Sequence, residues 1–218
     1  MRMILPRGKA VREGVNPGRI DLGAALETLK TGSFSGYLHF HGSGGPGFLL
    51  YRKGMLIEAL WQDGDGALRS LEAIRRIFAA SASGGLTLDV YRMDEALSAS
   101  LCALFHGDLG RAPESARELD PETLLETLRS EALSGFLRVY TEKRCTLIQY
   151  RKGRPVGFVN DGEAALSTKV DLADSVAKQP GAQVDFVWTP ELDQAWDEDL
   201  SEALDLRRLW EKTTARTT

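Results

Sequence analysis

The tetrapeptide Tyr51-Arg52-Lys53-Gly54, "YRKG", closes the stretch "HGSGGPGFLLYRKG" (41–54) and returns unchanged as Tyr150-Arg151-Lys152-Gly153. The offset is 99 residues, and holding it without a gap brings more of the chain into register. Asp21 falls on Asp120, "LETL" at 26–29 on "LETL" at 125–128, Ser35-Gly36 on Ser134-Gly135, and Leu38 on Leu137. Twelve of the forty positions from 21 to 60 are identical. The register shifts where "DGDGAL" (63–68) meets "DGEAAL" (161–166), then returns so that Leu97 and Leu101 fall on Trp196 and Leu200. A repeat sets the unit of folding and is read before any local signal. The chain therefore reads as two tandem copies, 21–106 and 120–205. A basic N-terminal arm (1–20) precedes them, a Gly-, Pro- and charge-rich linker (107–119) joins them, and a helix end and tail (206–218) follow.

Each copy has the same expected elements. A short amphipathic helix begins at Asp21 or Asp120, residues suited to the N-cap, and stops at Ser-Gly. Three strands follow, at 36–41, 48–52 and 55–61, and at 135–140, 146–151 and 154–159. Lys-Gly joins the second and third strands as a tight turn. Then come a helix (66–80; 163–178), a strand (85–91; 183–188) and an amphipathic helix (94–106; 192–211). The fold class is α+β, an α-β-β-β-α-β-α unit whose mainly antiparallel sheet is covered by helices. The arm carries Arg2, Arg7, Lys9, Arg12 and Arg19 against Glu13 alone. It is expected to lie on an acidic surface of its own chain, with Val11–Val15 adding an edge strand to the first copy.

Bulk composition excludes several functions. The 218 residues carry a net charge of −4, which argues against nucleic acid as the main partner. No apolar run approaches bilayer length and the start lacks a signal-peptide core, so a cytoplasmic protein is expected. Cys102 and Cys145 have neither metal nor redox spacing.

The two copies also test each other's motifs. "GSGGPG" (42–47) aligns with "TEKRCT" (141–146), which has no glycine, and a strand follows it where a phosphate cradle needs a helix. These glycines read as a hairpin tip. His39 and His41 share a strand face, yet Arg138 and Tyr140 replace them in the second copy and no third ligand is evident, so no metal is assigned. Tyr51 and Tyr150 are expected in the core with their hydroxyls bonded. "DEDLSEALD" (197–205) reads as the solvated face of a helix whose other side carries Trp196, Leu200, Ala203 and Trp210. No nucleophile or acid–base constellation is present, so no catalytic residue and no cofactor is assigned. Arg52, Lys53, Arg151 and Lys152 remain as a basic knuckle displayed twice. They are either solvated turn residues or a protein-interaction surface.

With the motifs "SGYLHF", "YRKGMLIEA", "GDGAL" and "LTLDV", and "SGFLRV", "YRKGRPVGF", "GEAAL" and "VDFVW" in the second copy, each half resembles the PATAN-type domain of PatA-like bacterial response regulators (domain of unknown function 4388). The second copy departs from the pattern at Pro155, Gly157 and Phe158, where the first has Ala59 at the last of these positions. The resemblance implies a bacterial signalling module acting through protein–protein interaction, with receiver-domain or kinase proteins as partners. The alternative is a small-molecule sensor with a pocket between sheet and helices. An enzyme of unrecognised type is a third reading.

Overall fold

In the computed structural model of the chain, the described residues are 3–42, 44–64, 66–107, 121–168, 176–189 and 198–216. They form a mixed α+β protein with two antiparallel sheets and several helices, divided into two compact units. The strands are β1 (Lys9–Val15), β2 (Gly36–Gly42), β3 (Gly47–Arg52), β4 (Met55–Asp63), β5 (Gly66–Arg69), β6 (Leu86–Arg92), β7 (Gly135–Tyr140), β8 (Cys145–Arg151), β9 (Arg154–Val159) and β10 (Gln183–Trp188). The helices are α1 (Leu22–Thr31), α2 (Ser70–Ala82), α3 (Glu95–His106), α4 (Pro121–Ser130) and α5 (Leu206–Thr214). No helix among the described residues is long and apolar enough to cross a membrane.

The first unit comprises Lys9–Ala99 together with residue 3 and residues 198–216. Its sheet runs β1-β6-β2-β3-β4-β5, antiparallel throughout. Alternate residues of each strand point to one face, so Leu38 and Phe40, Leu49 and Tyr51, Ala59 and Trp61, and Leu88 and Val90 share a core. Leu22 and Leu26 of α1, Ile74, Ile77 and Phe78 of α2, and Trp210 of α5 close that core. Each large side chain fully buried there contributes about 1.5–3 kcal/mol. The Asp21 carboxylate caps α1 by accepting from Ala24 N at 2.9 Å, and Asp205 caps α5 by accepting from Arg208 N at 2.8 Å. Val11–Val15 lies within β1, which pairs with β6 at the sheet edge.

The second unit contains Ile4–Gly8 and the described residues of Ser100–Ala195. Its sheet runs β10-β7-β8-β9, antiparallel throughout, over a core of Leu124, Leu128, Leu137, Tyr150 and Phe186.

Three sequence expectations change. Residues 66–69 extend the first sheet as β5, and the helix expected from 66 starts at Ser70. The helix expected at 163–178 is not formed over 163–168. There Asn160 N donates to Glu163 Oε2 at 2.7 Å, Gly162 takes φ 92°, and Ser167 bridges to Phe158, which commits the backbone to a turn and a ladder. Residues 169–175 lie outside the described ones, and Val176–Lys178 is a single 3-10 turn. Of the helix expected at 192–211, residues 192–197 lie outside the described ones, and among the rest the helix starts at Leu206. Residues 198–205 are irregular, because Asp199 Oδ1 accepts from both the backbone and the hydroxyl of Ser201, a local bond that competes with helix. The linker at 107–119 falls outside the described residues beyond Gly107.

Candidate functional site

Tyr51 stands near the end of β3, opposite an irregularity in the ladder. Leu50 pairs with Glu58 but Tyr51 pairs with Leu56, so Ile57 is the extra residue of a bulge. Its ring packs edge-on against Phe34, with centroids 6.2 Å apart, and the side chain is buried. The Tyr51 hydroxyl has no hydrogen-bond partner among the described residues, contrary to the sequence expectation that it would.

Tyr51 forms one wall of a cavity of about 160 Å³. Leu26, Glu27 and Lys30 of α1 form a second wall, and Ser201, Leu204, Asp205, Leu206 and Arg207 complete the lining. A cavity of about 150 Å³ accommodates a molecule the size of benzene. The polar rim is tightly organised. Lys30 Nζ donates to Ser201 Oγ at 2.9 Å and lies 3.4 Å from Asp199 Oδ2. Asp199 Oδ1 accepts from Ser201 Oγ at 2.7 Å, Ser201 N at 2.9 Å and Leu56 N at 3.1 Å. Burial pushes the Asp199 carboxyl up, but the Ser201 and Leu56 hydrogen bonds and the Lys30 charge outweigh it and hold the carboxyl below its ordinary value. Burial, followed by the negative charges of Asp199 and Glu27, pushes the Tyr51 phenol far above its ordinary value. It is therefore a neutral donor at any physiological pH.

Sequence reasoning missed Asp199, Ser201 and Asp205, which sat in a run taken for a solvated helix face. The available signal was Asp-x-Ser, a pair that closes on its own backbone.

The four knuckle residues occupy two turns. Arg52 is half-buried and Lys53 exposed, with Lys53 Nζ 2.8 Å from Glu95 Oε2. Arg151 and Lys152 are both exposed. Lys53 and Lys152 take left-handed φ values of 51° and 49°, followed by Gly54 at 82° and Gly153 at 74°. Lys53 N donates to Ser35 Oγ at 2.9 Å and Lys152 N to Ser134 Oγ at 3.0 Å. The glycine tip packs on β4, where a Cβ at Gly45 would overlap the Gln62 carbonyl oxygen. In the N-terminal arm, Arg7 N donates to Asp161 Oδ1 at 2.8 Å, and its guanidinium lies 3.5 Å from Oδ2 of the same carboxylate. Cys102 and Cys145 are buried and form no disulfide, and burial pushes the Cys145 thiol well up, away from reactivity.

Residues 3–105, a little under half of the chain, match the family described as "Uncharacterized protein conserved in archaea (DUF2226)". That match overturns the resemblance to the PATAN-type domain and the bacterial signalling assignment that came with it. The quoted motifs are patterns of small and apolar positions, which an antiparallel hairpin unit requires whatever its family. No curated protein and no solved structure matches the chain.

Proposed function

We propose that this protein is a non-enzymatic small-molecule sensor whose first unit takes up a small polar ligand in the cavity between sheet and helices. The carrying observation is the Tyr51 hydroxyl, buried in the wall of that cavity without a hydrogen-bond partner among the described residues. A buried hydroxyl left unsatisfied costs about 1–3 kcal/mol, a cost that a ligand oxygen would remove. Lys30 is held by Asp199 and Ser201, Arg207 by Glu211, and the Glu27 and Asp205 carboxylates share the lining, so the ligand class is an uncharged hydrogen-bond acceptor of few heavy atoms.

The test is thermal denaturation of the full chain with acetamide, acetone or ethylene glycol at millimolar concentration. At least one probe is expected to raise the Tm of the wild type and leave Tyr51→Phe unmoved. Without ligand, Tyr51→Phe is expected to be more stable than wild type by about 1 kcal/mol. Silence from all three probes, or a Tyr51→Phe variant less stable than wild type, counts against the reading.

A second reading, interaction with other proteins through Arg52, Lys53, Arg151 and Lys152, rests on the turn geometry. A residue other than glycine at left-handed φ costs roughly 1–2 kcal/mol, least for Asn or Asp, yet lysine stands there in both turns. We further infer that the two units are copies of one α+β unit. Each has the same four-strand order, β6-β2-β3-β4 and β10-β7-β8-β9, a bulge before the same Tyr, and the same Ser hydroxyl on the turn. On this view β1 and β5 are additions to the first copy. A cytoplasmic setting accords with two cysteines that form no disulfide.

A further inference from the structure

The face of the first sheet opposite its helices carries His39 and His41, two residues apart on β2, with ring centroids 5.0 Å apart. The register of β2 against β6 sets Asp89 directly across from His39. One ligand atom from each of His39, His41 and Asp89 lies within 4.8 Å of the others, so the third ligand missing from the sequence comes from a strand 48 residues away from His41. His41 Nε2 is already 2.9 Å from Asp89 Oδ2. The other carboxylate oxygen, Oδ1, accepts from Gly14 N at 2.8 Å. That bond fixes the carboxylate and leaves Oδ2 turned toward the imidazoles, the outer-shell support that metal ligands characteristically have. The His39 ring is stacked on Phe48, 4.8 Å away and tilted by 6°. All three ligands are half-buried, within reach of an ion from solution.

The second sheet provides an internal comparison. Arg138 and Asp185 are register partners on β7 and β10, as His39 and Asp89 are on β2 and β6. There the guanidinium makes two 2.7 Å bonds to the carboxylate, and it also lies 5.2 Å from the ring centroid of Tyr140, the counterpart of His41. Asp185 thus faces a cation that is part of the chain. Asp89 faces two imidazoles, which can hold an exchangeable one.

We propose that His39, His41 and Asp89 form a divalent transition-metal site of zinc type, with two imidazole nitrogens, one carboxylate oxygen and a fourth position open to water. Tetrahedral zinc at bond lengths of roughly 2.0–2.2 Å sets its ligand atoms about 3.3 Å apart. The His41–Asp89 separation needs a small widening and His39 a closing rotation, both within side-chain motion. Two nitrogens and one oxygen suit zinc and its late first-row neighbours rather than magnesium or calcium.

The test uses the full chain stripped with a chelator and titrated with Zn²⁺ by calorimetry and with Co²⁺ by visible absorption. One Zn²⁺ per chain is expected, with Co²⁺ giving the intense bands of four-coordinate geometry. His39→Gln, His41→Gln and Asp89→Asn are each expected to weaken Zn²⁺ by at least about tenfold. His106→Gln and Cys102→Ser leave binding unchanged. Absence of saturable Zn²⁺ binding, or binding that survives the His39→Gln/His41→Gln double variant, overturns the proposal. Should the variants fail to fold, imidazole NMR resonances of the wild type decide it: His39 and His41 must shift with Zn²⁺, and unmoved rings overturn the site.

Discussion

Asp199 shows how a carboxylate stays charged where burial opposes it. Its stabilisation comes from three short-range donors, the Ser201 hydroxyl and the Ser201 and Leu56 amides, with Lys30 adding charge. A carboxyl whose folded pKa is lowered contributes stability that is full above its unfolded pKa, about 4, and is lost as the pH falls through the folded value. Asp199→Asn is therefore expected to lower stability at pH 7 by about 1–3 kcal/mol, as loss of hydrogen bonds to a charged group does. It should also flatten the acid limb below about pH 4. Urea denaturation across pH measures both, and an unchanged acid limb would sink the assignment. Of this only the Asp199–Ser201 bond had a signal in the sequence. The charges of "DEDLSEALD" suit the solvated face of an amphipathic helix, and the bonds to Leu56 and Lys30 run to residues remote in the chain. Asp89 was hidden for the same reason, since its relation to His39 exists only once β6 pairs with β2.

At the scale of elements, the Lys-Gly turn is the sharpest test. Two successive positive φ values favour Asn-Gly at such a turn. Lys53→Asn and Lys152→Asn are each expected to raise stability by about 0.5–1 kcal/mol, because asparagine tolerates the left-handed region better than lysine. Gly54→Ala is expected to lose more than about 1 kcal/mol, since Gly54 has φ 82° and a Cβ would drive into the Lys30 carbonyl oxygen. Thermal or urea denaturation reads both; a destabilised Lys53→Asn would mean that the Glu95 ion pair outweighs the turn. The strands were the legible part of this fold, because period-two burial marks them and the Tyr-Arg-Lys-Gly turn fixes where β3 and β8 end and β4 and β9 begin. The short strand β5 was not, because "GALR" has no β-branched residue and draws its pairing from Leu60–Asp63. The missing helix at 163–168 was masked by "GEAAL", a sequence with good helical propensity that the Phe158–Ser167 bridge overrides.

At the scale of the molecule, the first unit is assembled from separated stretches of chain. α5 seals its core: Trp210 meets Phe78 edge-on at 5.5 Å, and α1 passes so close to α5 at Gly23 that a Cβ there would press on the Arg207 backbone. Trp210→Ala is expected to cost about 3–5 kcal/mol, the range for emptying a large buried aromatic site, measured as a shifted urea midpoint. A shift typical of an exposed residue, within about 0.5 kcal/mol, would show that α5 is dispensable. The same arrangement bears on the order of events at the ribosome. Leu26, Trp61, Ile74 and Phe78 leave the exit tunnel long before Trp210 is translated, because Ser100–Ala195 is made in between. At about 5–20 residues per second, that interval lasts roughly 5–20 s. Through it the nascent first unit lacks the helix that covers Phe78, so its core is completed only after α5 has been made.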